Sequence, residues 1–491
     1  MGAAARAGSR VWALVAVAIG IALVNLDLSA LTVALPSVQR DLHAPLQGGE
    51  WVLNAYVLAV AAFVVPAGRL ADIAGRRRVF AGAAALFAGA SLLGVLAPSI
   101  GVLIASRVLQ GAASAAILPT ATAIIASLYP PDERRAPLSD ILVVASVAAA
   151  VGPLVGGALT AGIDWRAVLA INVPLGLVAL LGTRRIPESR DPTAAGLDVR
   201  GAVVLAAGLA AIVLGLDQTN VRGWSSPAVW ALLTAGTVLL AVFVAVERRG
   251  TSPLVPLRLF SRRGFVGPVV VGLLVFFGAI PFDLFVAQFA QRVLSYGPAG
   301  AGLALLPSSV AVAIAAPLAS RVGDRVGSRG PVVLGVALVA AALALVAGLD
   351  VDSDFGDLLP PLLLMGLGLG SCIGLLGAAA INAVETERAG AAAGIGHMAR
   401  MTGAALGIAV TAALFEIIDH HHVRAALTAG KGYGSSTREA FAYALGTPFV
   451  VAAAVVAVGA VVALLTVRDP PRAGRKKSRT PADDRKGTPT R

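Results

Sequence analysis

Fourteen stretches of this chain are long and apolar enough to cross a membrane. With rough edges they are 11–36, 51–69, 79–97, 101–128, 138–162, 165–183, 201–218, 227–247, 265–291, 299–320, 330–349, 358–384, 391–418 and 444–467. An apolar run of about 18 residues or more spans the hydrocarbon layer as a helix. Lipid offers no partner to backbone N–H and C=O groups, and only a helix satisfies them within one segment. The expected fold class is all-α and polytopic. The composition fits, with 57% hydrophobic and only 13% charged residues. The run from Val11 is too long for the apolar region of a cleaved leader and is expected to remain as the first span.

The formal charge of +12 would suit a nucleic-acid partner if it were gathered on a folded surface. It lies in the loops instead. If the N-terminus is cytoplasmic, inner segments hold 30 of the 39 basic residues and outer segments seven, with Arg107 and Arg400 inside spans. By the positive-inside rule this predicts an even number of spans and both termini in the cytoplasm. Cys372 is the only cysteine, so no internal disulfide is expected.

The chain repeats itself. GRLADIAGRRR at 68–78 and SRVGDRVGSR at 320–329 align at an offset of 252, pairing Arg69 with Arg321, Asp72 with Asp324, Gly75 with Gly327 and Arg77 with Arg329. Glycine permits a tight turn, and the aspartate can pair with arginine or meet a helix N-terminus. A plain charged topogenic loop is the alternative. Repeated halves predict a secondary transporter with a central site between them. The expected division is a cytoplasmic N-terminus (1–10), a six-helix bundle (11–183) and a segment of linkers with two inserted helices (184–264, helices 201–218 and 227–247). A second six-helix bundle (265–467) and a disordered basic tail (468–491) follow.

GRLADIAGRRR resembles the signature loop of the major facilitator superfamily, and the fourteen-span layout resembles its drug:proton antiporter branch of EmrB/QacA type. NLDLSALTVALP at 25–36 resembles that branch's first-helix motif, with Ser29 in place of the usual threonine and Thr32 in place of the usual asparagine. RVLQGAASA (107–115) resembles the fourth-helix motif with its buried arginine, GPLVGG (152–157) the antiporter motif of helix five, and WRAVLAINVPLG (165–176) the start of helix six. GIGHMARMTGAALG (394–407) has the family's Arg and Gly spacing in span 13. The resemblance covers nearly the whole chain before the tail. It implies a major facilitator fold of two six-helix bundles plus two inserted helices, and export of a lipophilic compound against protons.

Asp27 interrupts an apolar run, and a lone charge there costs several kcal/mol. It lies about nine residues from the outer end of span 1, and Arg107 about six from the outer end of span 4, so at about 1.5 Å per residue they can share one level. Asp27 reads either as the proton or cation site, with Arg107 as its partner, or as a structural carboxylate tying helices together. Gln110 follows Arg107 on the same helix face, and Gln110 and Asn25 are cavity candidates.

In the fifth span, Pro153 can kink the helix, while Gly152, Gly156 and Gly157 form a smooth face for close packing. The resemblance implies a hinge and seal. In span 9, Phe282, Phe285 and Phe289 share a face that could meet a flat or cationic ligand, with Asp283 beside it. The alternative is lipid-facing rings and an interfacial Asp283. Arg400, one turn after His397, is a cavity or gate candidate. Glu416 reads as a solvated rim carboxylate, and His420, His421 and His422 as a solvated outer loop. The gating-loop candidates are Gly68, Arg69, Asp72, Gly75, Arg76, Arg77, Asp324, Arg325 and Gly327.

No GxxxxGK[ST] phosphate loop is present, since the only lysine preceded by glycine is Lys431 and Gly432 follows it. Energy is therefore expected from an ion gradient. No nucleophile–base set, zinc-ligand spacing or dinucleotide fingerprint stands out. The expected protein is not an enzyme and has no cofactor and no metal. Its expected partners are a lipophilic small molecule, protons and the bilayer, it acts as a monomer, and it binds no nucleic acid. A gradient-driven carrier of one metabolite on the same fold is the alternative.

Overall fold

The computed structural model describes residues 3–130, 133–191, 196, 198–249, 255–385, 388–428 and 433–467. Among them are fourteen helices long and apolar enough to cross a membrane. The first bundle comprises Arg10–Asp41 (span 1), Gly48–Ala74 (span 2), Arg76–Val95 (span 3), Ile100–Leu128 (span 4), Ala136–Gly162 (span 5) and Arg166–Arg185 (span 6). Val199–Thr219 (span 7) and Pro227–Arg249 (span 8) are the inserted pair. The second bundle comprises Arg263–Arg292 (span 9), Pro298–Val326 (span 10), Arg329–Val346 (span 11), Phe355–Asn382 (span 12), Ala389–Asp419 (span 13) and Thr437–Thr466 (span 14). The basic tail lies outside the described residues.

The two bundles repeat one packing plan. Span 1 packs on 5, span 2 on 4, and span 3 on 4 and 6; correspondingly span 9 packs on 13, span 10 on 12, and span 11 on 12 and 14. The junction between bundles obeys the same symmetry, because span 2 meets span 13 while span 10 meets span 5. Span 7 packs on span 8 and also on spans 2 and 13, so the inserted pair sits over one of these two seams.

Small residues make the close crossings possible. A Cβ at Gly156 would run into the Ala30 carbonyl of span 1, and one at Gly157 into the Pro298 carbonyl of span 10. Span 5 thus uses one glycine face within its bundle and between bundles, as small-residue packing in lipid favours. Ridge-to-groove contact of this kind replaces the hydrophobic drive that lipid removes.

The repeated loops at 68–78 and 320–329 lie at one end of the molecule, here termed the basic face. Gly75 has φ +114° and Gly327 φ +102°, a region closed to L side chains, so both turns require glycine. The first loop is pinned within its own bundle. Arg76 donates to Asp72 Oδ1 at 3.0 Å and, through its backbone N–H, to the Ser189 carbonyl at 3.0 Å; Arg77 donates to the Ile186 carbonyl at 3.2 Å. Gly68 faces Pro119 of span 4, and Arg69 is half-buried. In the second loop Asp324 and Arg325 are exposed. The two loops share a turn but not a set of partners.

Gly75→Ala should therefore lower stability by about 1–3 kcal/mol from backbone strain, with a further clash because its Cβ would lie 2.6 Å from Glu188 Oε1. Thermal unfolding of the solubilised protein checks this against Gly82→Ala, a mid-helix site with nothing within 4 Å of the new Cβ. An equal melting temperature for the two variants would reject the strain argument.

Ion pairs at the basic face stay within each bundle and its flanking segments: Arg10–Glu133, Arg76–Asp72 and Arg78–Glu188 on one side, Arg262–Glu385 and Arg388–Glu385 on the other. The Arg262 guanidinium holds the Glu385 carboxyl below the ordinary glutamate range. At the opposite face the bundles are bridged. Gln291 donates to the Val33 carbonyl at 2.9 Å and Arg292 to Gln39 Oε1 at 3.0 Å. The molecule is tied together at the opposite face, and no ion pair joins the bundles at the basic face among the described residues.

Two local expectations change. The helix of span 13 continues to Thr428, so positions 420–422 belong to a helix rather than a loop; their side chains lie outside the described residues. Glu416 is 8% exposed, a buried carboxylate rather than a solvated rim. Beside it Phe415 packs on Phe285 of span 9 and Phe441 of span 14, which withdraws this part of span 13 from water.

Candidate functional site

Span 1 carries Asp27 near its midpoint, where it is only 1% exposed. Its two oxygens take separate donors. Arg107 Nη1 donates to Oδ2 at 2.6 Å, and Asn172 Nδ2 donates to Oδ1 at 2.6 Å. Arg107 and Asn172 are both completely buried.

Proline sets the position of Asn172. Span 6 is interrupted at Ile171, between a helix over Arg166–Ala170 and another over Asn172–Gly182. Pro174 has no N–H to give the Ala170 carbonyl, which breaks the hydrogen-bond ladder there. The new helix therefore starts at Asn172, and its side chain reaches span 1.

Arg107 also takes partners from span 2 and from its own helix. Its Nε donates to the Val52 carbonyl of span 2 at 3.2 Å, and Nη1 also donates to Gln110 Oε1 at 2.6 Å. The guanidinium lies 4.3 Å from the centre of the Tyr56 ring, a cation–π contact. Gln110 Nε2 donates to Ser91 Oγ of span 3 at 2.7 Å, and the Tyr56 hydroxyl pairs with Ser114 Oγ at 2.7 Å. Spans 1, 2, 3, 4 and 6 thus meet in one polar network inside the first bundle.

A lone buried ion would cost several kcal/mol, and pairing with full hydrogen bonding is what offsets it. The offset here is incomplete. Arg107 Nη2 is a buried donor with no acceptor, and Asn172 Oδ1 a buried acceptor with no donor. The network therefore holds one spare donor and one spare acceptor beside the carboxylate.

The other sequence candidates fall into different settings. Gln110 is fully buried within the Arg107 network. Asn25 is half-buried and donates to the Ile21 carbonyl of its own helix at 2.8 Å. Phe282, Phe285 and Phe289 are completely buried in the second bundle's apolar core, where Phe285 packs 5.0 Å from Phe415 and 5.9 Å from Phe449. They form no open aromatic face, because packing against spans 13 and 14 consumes it.

Arg400 is half-buried, and its cationic carbon lies 5.9 Å from the ring centre of Phe276 on span 9, with Nη2 3.4 Å from His397 Nδ1. Asp283 is also half-buried on span 9. Gly152 and Pro153 sit on the packed face of span 5, where a Cβ at Gly152 would strike Ser29 Oγ and Gly302 of span 10 abuts the Pro153 carbonyl. No group of three or more His, Cys, Asp or Glu arranged to hold a metal occurs among the described residues.

Sequence reasoning missed Asn172, Tyr56 and Ser91. Asn172 stood inside the quoted helix-six segment, but its partner lies 145 positions away. It also missed Gln288, fully buried in span 9 with neither end of its amide partnered.

Residues 17–408 match the Major Facilitator Superfamily, and the chain belongs to that family. It is 36% identical over 445 residues to the puromycin resistance protein pur8 of Streptomyces alboniger, covering 88% of each chain. It is 36% identical over 398 residues to the cephamycin export protein CmcT of Amycolatopsis lactamdurans, covering 79% of this chain and 81% of the relative. Among solved structures it resembles a bacterial homologue of the human lysosomal transporter Spinster in an inward-facing, unoccupied conformation. The TM-score is 0.67 at 18% identity, covering 94% of this chain and 97% of that one.

Proposed function

We propose that this protein is a proton-driven exporter of lipophilic small molecules, antibiotics among them, in the cytoplasmic membrane. Both termini face the cytoplasm, which makes the basic face the inner one. The observation that supports this best is the fully buried Asp27–Arg107 pair, held at 2.6 Å among five helices of one bundle. Relatives named for puromycin resistance and cephamycin export support the cargo class.

The chemistry follows from the network. A proton reaching Asp27 Oδ1 forms an O–H bond there and displaces the Asn172 N–H. The carboxyl becomes neutral and its attraction to the guanidinium falls. Asn172 Oδ1, which lacks a donor, can then accept from the new O–H once the amide turns. Arg107 keeps the Val52 carbonyl and Gln110. Span 1 is thereby held less tightly to spans 4 and 6 when loaded than when empty. Span 1 also carries Val33 and Gln39, which anchor the bridge at the opposite face.

In the conformation described, that bridge is closed, and no ion pair joins the bundles at the basic face among the described residues, which supports entry of cargo from the inner side. Arg400 and Phe276, with half-buried Asp283, offer polar and aromatic contacts on the second bundle. The chain acts as a monomer in this reading.

Purified protein in sealed liposomes with an internal pH dye tests it. Under an imposed pH gradient, a panel of lipophilic antibiotics and cationic dyes should trigger proton movement. A panel that moves no protons would reject drug export and leave a gradient-driven carrier of one metabolite.

A further inference from the structure

Near the opposite face, spans 2, 7 and 13 enclose a small cavity lined by Glu50, Asn54, Asp217, Ile408 and Ala412, among others. Its volume is about 10 Å³, close to the room one water molecule needs. Glu50 and Asn54 are each 4% exposed, and Glu50 Oε1 and Asn54 Oδ1 have no hydrogen-bond partner. Two buried acceptors without a donor, on adjacent turns of one helix face, call for a positively polarised guest.

The surrounding charge points the same way. Glu50 is repelled by Glu416 of span 13 and Asp217 of span 7 and attracted by Arg292 of span 9. Arg292 is shared, since it also faces Asp419, donates to Gln39 and lies 5.2 Å from the Phe441 ring centre. Two further carboxylates therefore face Glu50, and the cation that attracts it is divided between Glu50 and Asp419. A metal cation needs a shell of several oxygens, and Ile408, Ala409 and Ala412 make that side of the lining aliphatic. A proton needs only one oxygen.

We propose that this cavity is a second proton site, with Glu50 as the carrying carboxyl and the inserted span 7 completing it through Asp217. The proposal rests on the reading of the protein as a proton-coupled exporter. The proton comes from water at the opposite face, and one O–H bond forms at Glu50 Oε1 as the bond to the carrier water breaks. The two sites are mechanically joined. Glu50 and Asn54 flank Val52, whose carbonyl receives Arg107 Nε. Loading Glu50 bears on the same turn of span 2 that holds the partner of Asp27.

The test uses infrared difference spectra of the full-length protein in lipid during a pH titration, following the C=O stretch of protonated carboxyls. A band that survives Asp27→Asn and is lost in Glu50→Gln is expected. Asp217→Asn, which removes one like charge facing Glu50, should move the appearance of that band to lower pH. In liposomes Glu50→Gln should reduce the number of protons moved per substrate without abolishing transport. An unchanged band in Glu50→Gln overturns the proposal, as does a band that sodium removes at constant pH. If the Glu50 band is present but wild type shows no substrate-driven flux, the export reading fails and the proton site stands. If Glu50→Gln proves unstable, the Asp217→Asn shift decides, because a merely structural carboxylate would leave the band in place.

Discussion

Asp27→Asn is expected to reduce substrate-driven proton movement in sealed liposomes to the level of protein-free vesicles. The substituted amide is nearly the same size and still presents an oxygen to Arg107, but it cannot take up a proton. Both present partners of the carboxylate are donors at 2.6 Å, and the amide must turn its own NH₂ toward one of them. Coupling should be lost while the ability to move cargo remains. Exchange of labelled substrate across the membrane with no gradient should therefore persist in the variant. If proton movement persists, Asp27 is a structural tie and the coupling role passes to other carboxylates, Asp283 and Glu50 first.

Arg107→Met is expected to destabilise the protein by about 3–5 kcal/mol, because it leaves the Asp27 carboxylate buried without its cation. Asn172 would remain as the only donor to it. Much of the loss should be recovered in the double variant Arg107→Met with Asp27→Asn, which buries no charge at the site. Unfolding of all four proteins in one detergent forms a double-mutant cycle. A coupling energy near zero would mean that the pair contributes little beyond packing, and that the cation–π contact with Tyr56 and the Val52 carbonyl hold Arg107 on their own. A strong coupling with lost transport in the double variant would separate stability from function at this site.

Much of the architecture was legible because hydropathy and length decide a membrane span almost alone. Span 8, expected at 227–247, is observed over Pro227–Arg249. The 252-residue repeat was visible for a related reason: a turn that needs positive φ leaves a glycine at each copy, Gly75 and Gly327. The common level of Asp27 and Arg107 followed from helix rise. Their third partner did not, because Pro174 marks a break in span 6 but nothing local says that Asn172 lies against span 1.

The aromatic face of span 9 shows a different limit. The spacing of Phe282, Phe285 and Phe289 describes which side of the helix they occupy, and is silent on whether a cavity or another helix faces it. Phe276, which meets Arg400, lies on the same helix and was not among the cavity candidates. Glu50 escaped notice for a third reason. A carboxylate beside the start of an apolar run looks interfacial by hydropathy, and only the arrival of spans 7 and 13 makes it internal.

The inserted pair also breaks the molecule's two-fold symmetry in a way that matters to anything dissolved in the bilayer. Two lateral seams separate the bundles, one between spans 2 and 13 and one between spans 5 and 10. Span 7 lies across the first and leaves the second without a third helix. A greasy solute diffusing in the membrane plane thus meets one seam covered by a third helix and one bare seam, along which the glycine face of span 5 packs on Pro298–Gly302 of span 10.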